Sequence, residues 1–249
     1  MDKQLKISIG EYSTKGRKEV NQDFHDICIP QEPQLTHKGI AIALADGISS
    51  SEVSQTASQT AVTSFLMDYF STPESWSVQK SAQRVITATN YWLFAQTKQS
   101  QYYYDANKGY VCTFSAMVIR STTAYIFHVG DARIYRLRNS EMEQLTEDHR
   151  MWITQEKSYL GRALGVDTDL KIDYDTLSVE VDDIFLFMTD GVYEYVSSDL
   201  IMSSIEQFSG DLSAAAKHIV ETAYDKGSDD NLTIQLVKAD TLPDKDANE

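Results

Sequence analysis

Two short, uninterrupted apolar segments constrain the fold of this chain more than any other feature of its sequence. Residues 39–45 read GIAIALA, and residues 184–188 read IFLFM. A strand that is apolar on both faces has to be covered on both faces, which places it in the interior of a layered structure. The sequence therefore predicts a layered domain with buried strands at these two positions.

Hydrophobic periodicity places the other elements around these strands. Alternating or β-branched apolar residues predict strands at 6–12, 23–29, 39–46, 112–120, 124–129, 134–137, 184–188 and 232–237. Apolar residues at helical spacing predict helices near 52–70, 78–100 and 212–223. Strands outnumber helices without regular alternation, which predicts an α+β fold rather than a doubly wound parallel sheet.

Two segments depart from this regular pattern. Residues 147–166 have mixed polarity without a clean period, which predicts an exposed irregular segment with one short helix. Residues 240–249 are polar, which predicts a disordered tail or the start of a linker. The chain is accordingly predicted to form one domain over residues 1–239.

The charge balance excludes several classes of partner. Thirty-seven acidic against 22 basic residues give a net charge of −15, which repels nucleic acid and anionic membrane surfaces. No apolar segment reaches the ~18 residues that cross a bilayer, so membrane insertion is not expected. The two cysteines are too few for a disulfide framework, and a cytoplasmic location is expected.

Four aspartates share one context in the sequence. Asp46 and Asp190 end apolar strands and precede glycine, Asp131 follows a strand in HVGDAR, and Asp230 immediately precedes a strand in GSDDNLT. A single Asp-Gly pair predicts only a turn. Four carboxylates at strand ends on one rim of a sheet repel one another until cations or protons neutralise them, and Mg²⁺ and Mn²⁺ are the hard ions that prefer oxygen ligands.

The chemistry of such a centre follows from two neighbouring ions. Asp46 can bridge two ions, and Gly47 beside it lets a backbone carbonyl approach one of them without a Cβ in the way. Two ions about 3.5–4 Å apart would hold a water, lower its pKa and polarise a phosphoryl oxygen. The residues therefore predict attack on phosphorus.

Eight motifs, in this order along nearly the whole chain, resemble the metal-dependent protein phosphatases called protein phosphatase 2C. The motifs are GRKEVNQD at 16–23, ALADGIS at 43–49, VCTFSA at 111–116, HVGDARIYRL at 128–137, LTEDH at 145–149, LGRALG at 160–165, MTDGVYEYV at 188–196 and DDNLTI at 229–234. The resemblance implies an αββα sandwich of two antiparallel sheets. It also implies hydrolysis of phosphoserine and phosphothreonine in proteins, by in-line attack of a water or hydroxide that bridges two Mn²⁺ or Mg²⁺ ions.

The resemblance also assigns the metal ligands. Asp46 is expected to bridge both ions, Gly47 to offer its carbonyl to one, and Asp190 and Asp230 to ligate the other. Asp131, with Asp190, is expected to hold a weaker third ion of the kind that bacterial members bind.

Further site residues carry over less directly. Asp23 is expected to orient metal-bound water, with Gln22 and Asn231 beside it, although many relatives have Glu where this chain has Gln22. The family's phosphate-binding arginine aligns with Lys18, and Arg17 lies one residue earlier. Either residue can neutralise a substrate phosphate, and the bidentate guanidinium favours Arg17.

Two departures from the family concern the surroundings of the centre. Eukaryotic relatives often have a proton-donating histidine where this chain has Ile48, so the proton for the leaving group is expected from metal-bound water or a displaced group. Residues 147–166 correspond to the mobile flap of bacterial relatives. Its Asp148, His149 and Arg162 either touch a protein substrate or, as we favour for His149 and Arg162, hold the flap by hydrogen bonds.

Other readings of the chain are weaker. No arginine lies six residues after either cysteine, as a cysteine phosphatase would need, and the five histidines have no zinc-site spacing. A catalytically silent relative that serves as a binding module is the serious alternative. A protein kinase is a possible partner beside phosphoprotein substrates, in the same chain or a separate one, and the acidic surface predicts a preference for phosphosites flanked by Lys or Arg.

Overall fold

The computed structural model describes residues 4–154 and 157–244. Its strands are β1 (Lys6–Thr14), β2 (Phe24–Cys28), β3 (Ile40–Ala45), β4 (Phe114–Arg120), β5 (Thr123–Val129), β6 (Arg133–Arg138), β7 (Glu141–Gln144), β8 (Arg150–Thr154), β9 (Lys157–Leu160), β10 (Asp173–Ser178), β11 (Ile184–Met188) and β12 (Leu232–Thr241). Its α-helices are α1 (Gln34–Lys38), α2 (Ser54–Ser71), α3 (Val78–Gln99), α4 (Asp190–Tyr193), α5 (Ser198–Gln207) and α6 (Leu212–Asp225). The eight predicted strands and the helices predicted near 52–70, 78–100 and 212–223 are present among them.

Ten of these strands form two five-stranded sheets. One sheet has the order β1-β12-β11-β6-β7 and the other the order β10-β5-β4-β3-β2, and all the pairings are antiparallel. The two continuous apolar segments, β3 and β11, lie inside their sheets. Their side chains are buried along the whole of both strands, as continuous apolar strands require.

Three buried layers of apolar side chains hold the sandwich together. Between the sheets, Ile42 and Leu44 of β3 belong to one cluster with Phe185 and Phe187 of β11. A second layer joins α2 and α3 to the outer face of the β3 sheet, and a third joins α5 and α6 to the outer face of the β11 sheet. The predicted α+β class and the four-layer αββα sandwich are confirmed.

Local signals fix the helix starts. Ser77 begins α3 by accepting a hydrogen bond from the backbone N–H of Lys80, and Asp211 does the same for α6 with Ala214. Gly10 of β1 lets α6 pack directly on the sheet, because a Cβ there would lie 2.1 Å from the backbone of Leu212. The sheet and the helix layer are therefore in backbone contact at this point.

The segment 147–166 corrects one prediction. It contains the hairpin β8–β9, which forms a two-stranded sheet of its own, where an irregular segment with a short helix was expected. The strands have five and four residues and pair only with each other among the described strands. Strands this short, without contact to a large sheet, do not need the alternating hydrophobic pattern by which strands are recognised in a sequence.

The predicted end of the domain is also corrected. Strand β12 continues to Thr241, where it pairs with Lys6 of β1, so the boundary at residue 239 lies inside the strand. The side chain of Leu242 is buried in the layer between the sheets, which explains why the ordered chain extends past the last alternating residues. The rest of the predicted tail, residues 245–249, lies outside the described residues.

Five further elements had no counterpart in the prediction: α1, β7, β10, α4 and α5. Strand β10 is an edge strand with the polar sequence DYDTLS, and it is held by its backbone pairing with β5 rather than by an apolar face. None of the helices in the described part of the chain is long and apolar enough to cross a membrane.

Candidate active site

Four aspartates lie together at one rim of the sandwich. Asp46 directly follows β3, and Asp190 begins α4 one residue after β11. Asp131 lies in the turn between β5 and β6, and Asp230 lies shortly before β12. Asp46 is close enough to the other three for their charges to act on its carboxyl group. The tertiary structure therefore brings together all four aspartates that the sequence singled out, and we call this cluster the carboxylate rim.

Threonines fix the backbone on both sides of the carboxylate rim. The backbone N–H of Thr113 donates to the Asp46 carbonyl oxygen at 2.8 Å, and the Asp46 N–H donates to Thr113 Oγ1 at 3.0 Å. In the other sheet, Thr189 and Thr233 are joined by two hydrogen bonds of 3.1 Å. The carboxylates are consequently held on rigid strand ends rather than on a free loop.

Burial and mutual repulsion raise the pKa values of Asp46, Asp131 and Asp190. Burial first, and then repulsion from the other aspartates, raises the pKa of Asp46 well above its usual value. The pKa of Asp190 rises to about 7 for the same reasons, with Asp131 and Asp230 as the nearest like charges. Burial likewise raises the pKa of Asp131, although Arg150 opposes the shift. The carboxylates are thus costly to ionise together unless cations lie among them.

Asp23 provides a buried acceptor beside these carboxylates. Its Oδ2 accepts hydrogen bonds from Thr233 Oγ1 at 2.6 Å and Thr189 Oγ1 at 3.1 Å, whereas its Oδ1 is buried without a partner. Burial raises the pKa of Asp23 to about 6, even though these hydrogen bonds lower it. An unpaired acceptor in such a place has a cost that a bound water or ion would remove.

The two basic candidates for phosphate binding point in different directions. Lys18 Nζ lies 3.2 Å from Asp230 Oδ1 and 3.4 Å from Ser49 Oγ, so its ammonium group reaches the carboxylate rim. The Arg17 guanidinium instead lies 4.0 Å over the ring of Tyr224 and donates to the Ser228 carbonyl. The geometry therefore favours Lys18 as the phosphate-binding residue, whereas the bidentate hydrogen bonding of a guanidinium had favoured Arg17 in the sequence analysis.

Arg150, which the sequence did not point to, lies among the rim carboxylates. Its Nε donates to Asp131 Oδ2 at 2.7 Å, and its Nη2 donates to Asp190 Oδ2 at 2.8 Å. Its Nη1 donates to Glu194 Oε1 at 2.6 Å. One guanidinium thus joins the two aspartates expected to hold a third ion, and β8 begins at this residue.

The donor set is that of a site for hard cations. It consists of carboxylate oxygens around a buried acceptor that has no partner, which suits Mg²⁺ or Mn²⁺. As the side chains stand in the described part of the chain, no three His, Cys, Asp or Glu side chains converge closely enough to hold an ion. Lys18 and Arg150 lie among the aspartates instead, and either would have to move for a divalent ion to take its place.

Comparison with known proteins decides the family. The model of the protein phosphatase 2C family matches residues 12–231. The chain belongs to the protein phosphatase 2C family. This phosphatase is 30% identical to the serine/threonine phosphatase stp of Listeria innocua over 184 aligned residues. The alignment covers 68% of this chain and 69% of that protein. It is 27% identical over 152 residues to the protein phosphatase PhpP of Streptococcus pneumoniae, covering 53% of this chain and 60% of that protein.

Solved structures show the same fold. The serine/threonine phosphatase PstP/Ppp of Mycobacterium tuberculosis aligns with a TM-score of 0.78 at 20% identity, over 95% of this chain and 100% of that one. A catalytic domain of PstP in complex with two manganese ions aligns with a TM-score of 0.77 at 21% identity, over 96% and 100% of the two chains. The predicted class, a metal-dependent serine/threonine protein phosphatase of the bacterial type, is confirmed.

Gln22 and Asn231 support the rim from behind in this phosphatase. Asn231 Oδ1 accepts from the Gln22 N–H at 2.8 Å, and its Nδ2 donates to the carbonyls of Lys15 and Val20 at 3.0 and 2.9 Å. The Gln22 side chain donates to Ser51 O at 2.7 Å, at the start of α2. Asn231 thereby fixes the loop that carries Lys18, and Gln22 is tied to a helix start.

Glycines allow the close approaches that build the rim. A Cβ at Gly191 would lie 2.0 Å from the Asn231 carbonyl oxygen, so only glycine fits where α4 meets the start of β12. A Cβ at Gly47 would lie 2.9 Å from both the Gln22 carbonyl oxygen and Ser54. The glycine after each of the two strand-end aspartates is therefore required by packing, whatever else it does.

His149 and Arg162 lie at the base of the flap hairpin. The Gly130 N–H donates to His149 Nδ1 at 3.0 Å, so Nε2 carries the proton and donates to Asp173 Oδ2 at 2.8 Å. Arg162 Nη1 donates to Asp173 Oδ1 at 2.7 Å. Although burial raises the pKa of Asp173, these hydrogen bonds bring it below its usual value. The geometry favours the holding role for both residues.

Arg150, Glu194 and Asp173 are the site residues that sequence reasoning missed. Asp148, considered as a substrate contact, forms a bidentate ion pair with Arg133, with distances of 2.9 and 2.8 Å. The one available signal was the position of Arg150, immediately after the LTEDH motif in a segment otherwise poor in regular pattern. Its partners lie 19 residues before it and 40 and 44 residues after it, which no local spacing reveals.

Proposed function

We propose that this phosphatase hydrolyses phosphoserine and phosphothreonine in proteins at the carboxylate rim, with Asp46, Asp190 and Asp230 as its principal metal ligands. The observation that carries the proposal is the convergence of partly buried aspartates at strand ends, where the pKa values of Asp46 and Asp190 are raised. Mn²⁺ or Mg²⁺ ions held there would supply Lewis-acid stabilisation of the phosphoryl oxygens and a water of lowered pKa. The enzyme would need no phosphorylated residue of its own.

Each surrounding residue has a part in this reaction. Asp46 is placed to bridge two ions, with the Gly47 carbonyl beside it. Asp23 Oδ1 is the acceptor that would hold a water in line, and a pKa of about 6 lets it accept a proton near neutrality. Lys18 Nζ, one third exposed at the edge of the rim, would contact the substrate phosphate. Ile48 offers no proton, so solvent at the rim would protonate the leaving alkoxide.

The number and kind of ions form part of the proposal. A neighbour in the structural comparison is a complex with two manganese ions, which supports two ions here and Mn²⁺ as the first to test. Asp131 and Asp190 share a cation already, Arg150, which supports a cation position of lower affinity between them. We expect Mg²⁺ to replace Mn²⁺ at both principal positions because the donors are all oxygen.

The substrate proposal rests on charge. A cavity of about 600 Å³ lies beside the end of the flap hairpin and is lined by Asp167 and Asp169 together with Lys171 and Arg162. Arg162 is already paired with Asp173, so two carboxylates and one ammonium group, a net negative charge, are left to act on an incoming peptide. With a net charge of −15 over the chain, phosphosites flanked by Lys or Arg would be preferred.

A kinase that phosphorylates the same proteins would be the natural opposing partner. The free thiols of Cys28 and Cys112 fit a reducing cytoplasm.

Phosphothreonine peptides with basic or acidic flanks, compared at low and high salt, test the proposed preference for basic flanks. We expect faster turnover of the basic peptide at low salt and convergence at high salt. Equal rates at low salt would refute the flank preference while leaving the catalytic proposal intact.

The catalytic proposal is tested with adjacent aspartates. Purified protein is assayed with para-nitrophenyl phosphate and a phosphothreonine peptide in Mn²⁺, with a chelator control. Asp190→Asn and Asp230→Asn are expected to abolish turnover, whereas Asp229→Asn, the same change on the exposed neighbouring residue, is expected to retain it. A folded, Mn²⁺-supplied wild type without activity on either substrate would favour the alternative, a catalytically silent binding module.

A further inference from the structure

Arg150 forms ion pairs with more different carboxylates than any other cation in the described part of the chain. Its guanidinium contacts three carboxylates from two parts of the sequence, Asp131 in the β5–β6 turn and Asp190 and Glu194 at the two ends of α4, all at 2.6–2.8 Å. The Arg150 side chain is only 13% exposed, as is that of Asp131, so solvent screens these pairs weakly. Asp190 belongs to the proposed catalytic centre, whereas Glu194 lies outside it.

Arg150 also connects the flap hairpin to the rim. It is the first residue of β8, and β8 pairs only with β9, in a sheet separate from both large sheets. On its other side, His149 is fixed by its backbone N–H, which donates to the Gly130 carbonyl at 2.8 Å. Arg150 thus lies where the anchored part of the chain passes into the hairpin.

We propose that Arg150 is a tethered cation that competes with a divalent ion for the position between Asp131 and Asp190, so that binding of the ion detaches the flap strand from the rim. The inference rests on the proposed function in one respect only, that Asp190 belongs to the metal centre. It adds a link between metal occupancy and the flap, through a residue of the chain itself.

Electrostatics makes the two cations exclusive. A guanidinium with two N–H groups directed at Asp131 and Asp190 occupies the space through which an ion would contact both carboxylates. A divalent ion at that point would lie within a few ångströms of the guanidinium, in a poorly screened site, where like charges repel strongly. The guanidinium would have to withdraw, and its remaining partner, Glu194, is 44% exposed and lies towards solvent.

Competition has two measurable consequences. The apparent affinity of the weak ion is lowered by the free energy needed to displace Arg150, and reciprocally the ion lowers the population of the attached flap strand. Coupling of this kind typically changes an affinity by about 5–150-fold. Removing the guanidinium should therefore tighten the weak position by a factor in this range and leave the principal positions nearly unchanged.

Calorimetric titration with Mn²⁺ of the wild type, Arg150→Gln and Arg162→Gln tests the affinity. We expect Arg150→Gln to tighten the weakest Mn²⁺ site at least fivefold, and Arg162→Gln, the matched change at the flap base that spares the rim, to leave it unchanged. Arg150→Lys keeps the charge but not the fork and should give an intermediate value, which guards against a glutamine variant that folds poorly. An unchanged weak-site affinity in both Arg150 variants would overturn the proposal.

Hydrogen exchange of the β8 and β9 amides in the same Mn²⁺ titration tests the link to the flap. In the wild type, exchange should accelerate over the concentration range in which the weak site fills; in Arg150→Gln it should be fast throughout. A hydrogen-exchange rate in the wild type that does not depend on the Mn²⁺ concentration would refute the link between the metal site and the flap. Failure of the proposed function looks different, because it removes the tight Mn²⁺ sites and hydrolysis from the wild type, whereas failure of the Arg150 proposal leaves both in place.

Discussion

The carboxylate rim and the flap base are neighbouring regions built on different principles. In the rim, aspartates follow or precede buried strands, and threonine hydrogen bonds fix the backbone around them. At the flap base, His149, Arg150 and Arg162 come from a polar segment and gain their positions from long-range hydrogen bonds and ion pairs. The rim is rigid and deficient in positive charge, and the flap base supplies positive charge through groups that can be exchanged.

This contrast suggests how the two regions divide their work. A site that must hold like charges close together needs a rigid scaffold, because any freedom would let the carboxylates move apart. A segment that regulates access needs contacts that break at modest cost, and ion pairs at partly exposed positions meet that requirement. The following experiments separate the regions, beginning with the largest expected effect.

Asp46→Asn should have the largest effect, because it removes the carboxylate that we propose as the bridge between two ions. We expect turnover of a phosphothreonine peptide in saturating Mn²⁺ to fall by about 10³-fold or more. In chelator, the same variant should melt at a higher temperature than the wild type, because one buried, repelled carboxyl group is gone. A variant that loses activity and stability together would contradict the view that the rim trades stability for metal binding.

The pH dependence of stability in chelator should come next. A carboxyl whose pKa is raised by folding stabilises the folded state below its unfolded pKa, and that contribution is lost as pH rises through the folded value. With Asp23 at about 6, the free energy of unfolding should fall between pH 4 and 7, by on the order of 3 kcal/mol from Asp23 alone.

Chemical denaturation at several pH values measures this fall. Asp23→Asn should reduce the fall by the share of Asp23, since the amide does not titrate, while Asp46, Asp131 and Asp190 still contribute. Saturating Mn²⁺ should reverse the fall because metal binding requires the ionised carboxylates. A wild type whose unfolding free energy is constant or rises over this range in chelator would show that the rim is less strained than its burial implies.

His149→Ala probes the flap base. The change leaves the buried Gly130 N–H without its acceptor and Asp173 without one donor, so we expect a loss of about 1–3 kcal/mol in the free energy of unfolding. His37→Ala is the matched control, because His37 is about half exposed and forms only a long ion pair with Glu74. A similar small effect for both histidines would mean that the flap base contributes little to stability.

Lys18→Ala against Arg17→Ala gives the smallest expected difference. Loss of the ammonium that reaches Asp230 should raise KM for a phosphopeptide about tenfold, the value of one charge-assisted hydrogen bond of 1.5 kcal/mol. Arg17→Ala should leave KM nearly unchanged and cost about 0.5–1 kcal/mol of stability through its contact with Tyr224. The opposite pattern in KM would restore Arg17 as the phosphate ligand.

The sequence by itself determined the rim. Continuous apolar strands have to lie in a covered interior, so the residues at their ends have fixed positions. Local sequence patterns were therefore enough to predict that Asp46, Asp131, Asp190 and Asp230 lie together. The motifs around them also identified the family, which the match over residues 12–231 confirms. The Asp-Gly pairs predicted turns, and the structure adds the packing that makes glycine necessary there.

Only the tertiary structure decided which charges meet. Arg17 and Lys18 are neighbours in sequence with the same charge, and only the positions of Tyr224 and Asp230 show which one reaches the rim. The position of Arg150 after the LTEDH motif does not reveal its partners, which lie 19, 40 and 44 residues away. Ion pairs of this kind depend on the distance between side chains in space, which no sequence periodicity predicts. The burial of a strand, by contrast, is predicted by the apolar residues of the strand itself.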